Sequence, residues 1–191
     1  MARWQPDAPQ RLALAALELF EERGYEQTSV IDIAERAGLT KSTFFRHFRD
    51  KREVLFGGET MSALVAGAIS AAPATATAPE AVAAALDAAG RAAFTPDRRA
   101  FSLRRRAVIA AHPELQERDA LKGLAITAAM ATALEQRGVP SLTASVTAQL
   151  AALAAAIAYG RWSDPANTDD YPTLARRALH EVRAAAVQDP R

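Results

Sequence analysis

The chain has 191 residues, half of them hydrophobic, and a formal net charge of +1. It contains no cysteine, which excludes disulfide bonds and thiolate metal sites. The longest unbroken apolar run, Leu150 to Tyr159, is too short for a transmembrane helix of about 20 residues. Alanine is abundant and no segment alternates between polar and apolar residues. We therefore predict an all-α, cytoplasmic protein that has no membrane partner.

Residues 28–38 have the pattern of a short helix followed by a turn. Thr28 or Ser29 can cap the start of this helix, because a side-chain oxygen there accepts hydrogen bonds from free backbone N–H groups. Asp32 suits the positive end of the helix. Gly38 can take a positive φ at low cost and so end the helix. The residues expected to face a core are Ile33, Ala34 and Ala37.

A second short helix follows the turn, with Thr40 at the capping position. Phe44 and Phe48 are four residues apart and share one face, which we predict to be buried. The opposite face carries Lys41, Ser42, Thr43, Phe45, Arg46 and His47. Lys and Arg can contact phosphates or guanine, and an exposed ring can pack on a thymine methyl group. Two short helices joined in this way are typical of a helix-turn-helix, which places its second helix in the DNA major groove.

Positive charge is concentrated around this second helix. Between Arg36 and Arg52 the chain has six cations and one anion, Asp50, which gives a local charge of +5. Such a patch can neutralise DNA phosphates and bind with an affinity that falls as salt rises. The residues alone leave an alternative open, in which a helix-turn-helix look-alike has a cationic face that is simply solvated.

The chain from about residue 10 to residue 56 resembles the TetR family of bacterial transcriptional repressors. The matching residues are Ala15, Leu19, Phe20, Gly24, Tyr25, Thr28, Asp32, Ile33, Ala34, Ala37, Gly38, Leu39, Thr40, Phe44, His47, Phe48, Lys51 and Leu55. The resemblance implies a three-helix DNA-binding domain at residues 1–56. It also implies a helical ligand-binding and dimerisation domain at residues 57–191, with about nine helices in total.

The same resemblance assigns DNA contacts to individual residues. The groove-facing positions are Lys41, Ser42, Thr43, Phe45 and Arg46, and the backbone-contacting positions are Thr28, Thr40, His47 and Lys51. Lys51 also begins the next helix, where free N–H groups favour a phosphate. Two residues depart from the family pattern, because Ser42 replaces the usual Gly and Phe45 replaces the usual Tyr. We expect both differences to change which operator is read more than whether DNA is bound.

After this segment the sequence predicts further helices separated by proline-containing loops. A continuous helix is expected from near Asp50 to about Ser70, and the low-complexity residues 71–79 are expected to form a loop. Residues 1–9 are expected to form a loose arm, and a disordered tail is favoured over a contact between Arg3 and DNA.

A ligand pocket is implied between the later helices. Its candidate residues are Phe94, Phe101, Arg104, Arg105, Val108 and Met130. Small side chains in a helical bundle can leave room for an apolar ligand. One of the arginines lies near the apolar stripe and could pair with a ligand carboxylate or phosphate. The alternative, an arginine that bridges helices or is solvated, is favoured from the residues alone.

The last two helices are expected to form the dimer interface. Leu142, Val146, Leu150, Leu153 and Ile157 make one stripe of an amphipathic helix, and many alanines around them permit close approach. Leu174, Ala178 and Val182 mark the helix that follows. The alternative is that both stripes cover the chain's own core, but the resemblance favours pairing into a four-helix bundle with a second copy.

These observations predict a ligand-responsive transcriptional regulator, with repression as the expected mode. It is expected to bind a palindromic double-stranded DNA operator as a homodimer and to be released by a small apolar or amphipathic effector. The three histidines are too scattered for a zinc site, and no nucleophile elbow, Walker loop or dinucleotide glycine pattern occurs. We therefore predict no catalytic residue, metal or cofactor. The alternatives are a small-molecule-binding helical protein without DNA binding and an all-α enzyme.

Overall fold

The computed structural model describes residues 7–56 and 60–187. Within these residues the chain is entirely helical, with nine α-helices and no strand, which confirms the predicted fold class. The helices are α1 (Ala8–Arg23), α2 (Val30–Arg36), α3 (Lys41–His47), α4 (Thr60–Ala71), α5 (Ala78–Ala93), α6 (Arg99–Ala111), α7 (Pro113–Gln136), α8 (Ser141–Ser163) and α9 (Tyr171–Val187). Two 3₁₀ helices, Lys51–Leu55 and Pro96–Arg98, complete the regular structure.

The chain divides into two compact units. The first consists of Met1–Glu59 and Ala100–Ala120, and the second of Thr60–Arg99 and Leu121–Arg191. A boundary near residue 56 therefore lies close to the end of the first segment. The sequence did not indicate that residues 100–120 join the amino-terminal helices.

Apolar side chains from α6 and α7 complete the core of the first unit. Val108 and Ile109 on α6 and Leu115 on α7 are buried together with the core residues of α1, α2 and α3. Tyr25 lies between Phe20, whose ring it meets edge to face at 5.1 Å, and the ring of His112. The amino-terminal helices thus depend on a segment that follows them by about half the chain.

Two local expectations were wrong. The helix predicted from near Asp50 to Ser70 begins instead as the 3₁₀ helix Lys51–Leu55, because the amide of Phe56 bonds to the carbonyl of Glu53, three residues back. Residues 57–59 of that predicted helix lie outside the described residues. Residues 7–9 of the expected loose arm are instead part of α1 and its cap, because Asp7 accepts from the amide of Gln10. Residues 1–6 of the arm, including Arg3, lie outside the described residues.

In the second unit, the core is built largely from small residues. One face of α8 is buried and carries Ala144, Ala148, Ala151, Ala154, Ala158 and Trp162. At Gly90 of α5, an added Cβ would lie 2.9 Å from the ring of Pro172, so only glycine permits this approach of α5 and α9. The small side chains allow these helices to pack closely.

The loop predicted at residues 71–79 is present and is held by one arginine. The Arg137 guanidinium donates hydrogen bonds to the carbonyls of Ala72 at 2.7 Å and Pro73 at 2.6 Å, and also to that of Ile69. Arg137 thus adds a charged donor to carbonyls at the end of α4 and in the loop, of which those of Ile69 and Pro73 also accept from the amides of Ala72 and Ala76. At the far end of the loop, the side chains of Thr77 and Glu80 form a capping box that starts α5.

By length and composition alone, α8 is long and apolar enough to cross a membrane. A core helix of a soluble protein meets the same criterion, so this is weak evidence. The buried alanine face of α8 packs within the second unit, as expected of a core helix.

Packing of the start of α7 into the first unit can be tested by comparing two leucines of that helix. Leu115 is fully buried, whereas Leu124 is 62% exposed. We expect Leu115→Ala to lower the free energy of unfolding by about 2–5 kcal/mol, because it removes buried methyl groups and leaves a cavity. Leu124→Ala, the control, should change it by less than about 0.5 kcal/mol. Urea unfolding followed by circular dichroism measures both, and equal effects would contradict the packing described here.

Candidate nucleic-acid interface

The start of α2 is fixed by a reciprocal cap. The amide of Asp32 donates to Ser29 Oγ at 3.1 Å, and the Asp32 carboxylate accepts from the Ser29 amide at 2.8 Å and from the Ser29 hydroxyl. Of the two predicted capping residues, Ser29 is therefore the one that caps. These hydrogen bonds lower the pKa of Asp32 from its ordinary value.

The turn between α2 and α3 has the predicted glycine geometry. Gly38 has φ +65°, and the amide of Leu39 donates to the carbonyl of Ala34 at 2.8 Å. From α1, the Arg11 guanidinium donates to the carbonyl of Ala37. A Cβ on Gly38 would lie 3.0 Å from this guanidinium, whose flexible side chain can shift, so it is the positive φ that requires glycine in this turn.

Two buried rings orient α3. Thr40 caps the helix by accepting from the Thr43 amide at 3.1 Å. Phe44 is fully buried and Phe48 is 5% exposed, so the face predicted to point inward does so. Residues on the other sides of α3 therefore face outward.

We define the α3 surface as seven predicted DNA-contacting residues: Thr40, Lys41, Ser42, Thr43, Phe45, Arg46 and His47. All are exposed except Thr43, which is half-buried. Thr43 Oγ1 lies 3.0 Å from Thr40 Oγ1 and accepts a hydrogen bond from Arg46 at 3.4 Å. The α3 surface thus presents hydroxyl groups, cations and one aromatic ring side by side.

Only part of the positive charge counted in the sequence is free to meet DNA. Arg36 forms a two-pronged ion pair with Glu22, and Arg52 pairs with Asp50. The hydrogen bond from Arg36 lowers the pKa of Glu22. Among the described residues, no ion pair involves the remaining four cations of this region, which are Lys41, Arg46, Arg49 and Lys51.

Comparison with known proteins identifies the amino-terminal part of the chain. The family model described as bacterial regulatory proteins, tetR family, matches residues 13–57. Over 44 residues the chain is 52% identical to the transcriptional regulator TcmR of Streptomyces glaucescens and 41% identical to the transcriptional activator FasR of Mycolicibacterium smegmatis. Residues 13–57 are thus similar to regulators of the TetR family.

The chain spans about a fifth of the length of the two curated relatives it matches. Each aligned segment is 23% of this chain and 20% of the relative. The solved structure of SmeT, the repressor of a Stenotrophomonas maltophilia multidrug efflux pump, is similar over 93% of this chain and 89% of its own. Its TM-score is 0.55 at 19% identity, which shows that the two chains share a fold over most of their length.

Two of the predicted DNA-contacting residues, Thr28 and Lys51, lie outside the α3 surface and form hydrogen bonds within the chain. Thr28 is 2% exposed, and its hydroxyl donates to the carbonyl of Gly24 at 2.9 Å. Lys51 is half-buried, donates to the carbonyl of Tyr25 at 2.7 Å and lies over the Tyr25 ring. Burial raises the pKa of Tyr25 to about 12. We leave Thr28 out of the proposed interface and keep Lys51 as a prediction, because an ammonium group has further donors.

At the start of the 3₁₀ helix Lys51–Leu55, where a phosphate was expected to bind, a carboxylate of the chain already bonds to the backbone amides. The Asp50 carboxylate accepts from the amides of Arg52 at 2.8 Å and Glu53 at 3.1 Å. These N–H groups are therefore occupied by the chain itself, which the sequence argument did not anticipate.

The predicted pocket residues divide between the two units. Phe101, Arg104, Arg105 and Val108 belong to the first unit, and Phe94 and Met130 to the second. Arg104 pairs with Glu21 of α1, and Arg105 donates to the carbonyl of Leu55 and to Asp119. Arg104 therefore has the helix-bridging role that the sequence left open as the alternative. In the second unit, Phe94 stacks on Tyr171 with ring centroids 4.1 Å apart.

The predicted dimer residues face two directions. On α8, Val146 is 49% and Leu153 51% exposed, with Leu150 and Ile157 half-buried. On α9, by contrast, Leu174, Ala178 and Val182 are buried in the core of the second unit. The apolar stripe on α8 is thus exposed. The three predicted interface residues of α9 are instead covered by the core of the second unit.

Among the described residues, no group of three or more His, Cys, Asp or Glu side chains could hold a metal ion.

The stability that the Ser29–Asp32 cap contributes to the domain should depend on pH. Because the folded-state pKa of Asp32 lies below its ordinary value of 3.8, the carboxylate stabilises the domain above that value. This stabilisation is lost as the pH falls through the folded-state pKa. We expect Asp32→Asn to lower the urea midpoint at pH 7, with the difference from the wild type shrinking below about pH 4. A constant difference from pH 7 to pH 3 would contradict the role of the charged carboxylate.

Proposed function

We propose that the protein is a homodimeric transcriptional regulator that binds operator DNA through the α3 surface. The single observation that carries this proposal is the outward display of Lys41, Arg46 and the α3 hydroxyl groups over two buried phenylalanines. Arginine can bond bidentately to guanine, and hydroxyl groups can contact base edges or phosphates. The match of residues 13–57 to the tetR family of bacterial regulatory proteins supports the same use of this surface. Such a regulator acts in the cytoplasm, where its DNA is.

The proposal includes a second copy of the chain on the α8 stripe. The large apolar side chains of α8, Leu142, Val146 and Leu153, are 78%, 49% and 51% exposed. Leu153 lines a groove of about 490 Å³, together with Leu150 and Ile157 of α8 and Val182 and Ala185 of α9. A two-fold axis would bring α8 and α9 of both copies together as a four-helix bundle. The pair would then present two α3 helices to a palindrome.

Regulation in this proposal follows from linkage between two ligands. A small apolar or amphipathic effector would bind the carboxy-terminal helices and favour a state in which the two α3 helices no longer fit both half-sites. Such an effector acts only through its different affinity for the two states. Repression is the proposed outcome, because a dimer bound at a promoter blocks access to it. This part of the proposal rests on the family alone.

DNA binding by the α3 surface can be tested with duplexes selected in vitro from a random library. We expect Arg46→Ala to weaken the selected duplex by about 1–3 kcal/mol and to relax the preference for one base pair. Lys51→Ala should weaken all sequences about equally and reduce the salt slope by about 1 per half-site. Arg91→Ala, which removes the same charge from the second unit, is the control. Unchanged affinity and salt dependence for Arg46→Ala would show that this surface does not bind DNA.

Dimer formation can be tested by placing a charge in the α8 stripe. We expect Leu153→Glu to raise the dimer dissociation constant at least about 100-fold, since each interface would bury two unpaired carboxylates. Leu14→Glu, a change of an exposed leucine in the first unit, is the control. Sedimentation equilibrium measures the association, and circular dichroism checks the fold. A wild-type monomer, or a Leu153→Glu dimer as tight as the wild type, would refute this interface.

A further inference from the structure

One apolar side chain stands out on the otherwise polar α3 surface. Phe45 is 48% exposed, although the adjacent Phe44 is fully buried. The two rings meet nearly at right angles, with their centroids 5.5 Å apart and an interplanar angle of 79°. This edge-to-face contact limits the orientations of the Phe45 ring. About half of the ring is thus presented to solvent in a restrained position.

The chemistry of the ring restricts what it can contact on DNA. A phenylalanine has no hydroxyl group, so it forms no hydrogen bond with a phosphate or a base edge. Its neighbours Ser42 and Arg46 have donors for those contacts. Among base edges in the major groove, the apolar group is the C5-methyl of thymine. An apolar ring in this position therefore buries the most apolar surface when it packs against a pyrimidine that carries a methyl group.

The positions of the neighbours favour a base rather than a phosphate for Phe45. Successive residues of a helix are about 100° apart, so Ser42 and Arg46 lie opposite the buried Phe44 and Phe45 lies beside them. The ammonium group of Lys41 lies 6.0 Å from the centroid of the Phe45 ring, one turn earlier. Lys41 can therefore contact a phosphate next to the base that the ring meets, while Phe45 remains in the groove.

We propose that Phe45 reads the C5-methyl group of a pyrimidine at one position in each half-site, supplied by thymine. This inference rests on the proposed binding of DNA by the α3 surface and adds a specificity-determining residue to it. The same methyl group is present on 5-methylcytosine, so the test must separate the methyl group from the rest of the base.

The experiment replaces each thymine of a selected operator, one symmetric pair at a time, with deoxyuridine, which differs only by the missing methyl group. We expect one pair of positions at which wild-type affinity falls about fourfold per half-site, which is the loss expected for one buried methyl group. At that position, a C·G pair should bind more weakly than T·A, and 5-methylcytosine in place of cytosine should recover about the same factor.

Variants of Phe45 test whether its ring causes the preference for thymine over deoxyuridine. Phe45→Ala should bind the thymine and deoxyuridine duplexes equally, because the contact is already missing. Phe45→Leu, which keeps an apolar side chain, should retain part of the preference for the methyl group. Ser42→Ala is the matched control on the same surface and should keep the full thymine-to-deoxyuridine ratio.

The outcomes separate this inference from the proposed function. Operator binding that tolerates deoxyuridine at every position would overturn the inference alone. So would a thymine-to-deoxyuridine ratio that persists in Phe45→Ala. A wild-type protein that binds no duplex at low ionic strength would overturn the proposed function and this inference with it.

Discussion

Burial of Phe44 fixes the rotation of α3 about its own axis. The helix has only seven residues, so one fully buried ring decides which side chains reach outward. The start of the same helix is set by Gly38, whose turn is held by the guanidinium of Arg11. These contacts are internal to the first unit and need no DNA. The α3 surface is therefore formed before any ligand arrives, which reduces the ordering cost of binding.

Ion pairs within the first unit select which cations can meet DNA. Arg36 is bound to Glu22 and Arg52 to Asp50, so their charges are largely balanced where they lie. The cations left for phosphates are Lys41, Arg46, Arg49 and Lys51, the last of which also donates to the carbonyl of Tyr25. Fewer phosphates are then neutralised than a charge of +5 suggests, and the salt dependence of binding is correspondingly shallower. Contacts with base edges in the groove then supply a larger share of the binding free energy than they would if every cation met a phosphate.

The features that could be predicted from the sequence are those whose partners lie close together along the chain. The cap at Ser29 and the turn at Gly38 involve partners within five residues, so their chemistry is visible in the local sequence. The ion pair of Arg104 with Glu21 joins residues 83 positions apart, and no local pattern indicates it. Periodicity likewise places Leu174 on one face of its helix but does not say what covers that face. The carboxylates that bind Arg36 and the segment that completes the first core were missed for the same reason.

Two apolar faces on one helix require two different partners. The alanines of α8 fill the narrow space inside the second unit, whereas its larger side chains, such as Leu142 and Leu153, are left in water. A stripe of that kind is costly to expose, and in the proposed dimer a second copy would cover it. In the proposed dimer, binding of one α3 surface makes binding of the other intramolecular. At protein concentrations below the dimer dissociation constant this advantage is lost, so the α8 stripe controls operator occupancy together with the groove contacts.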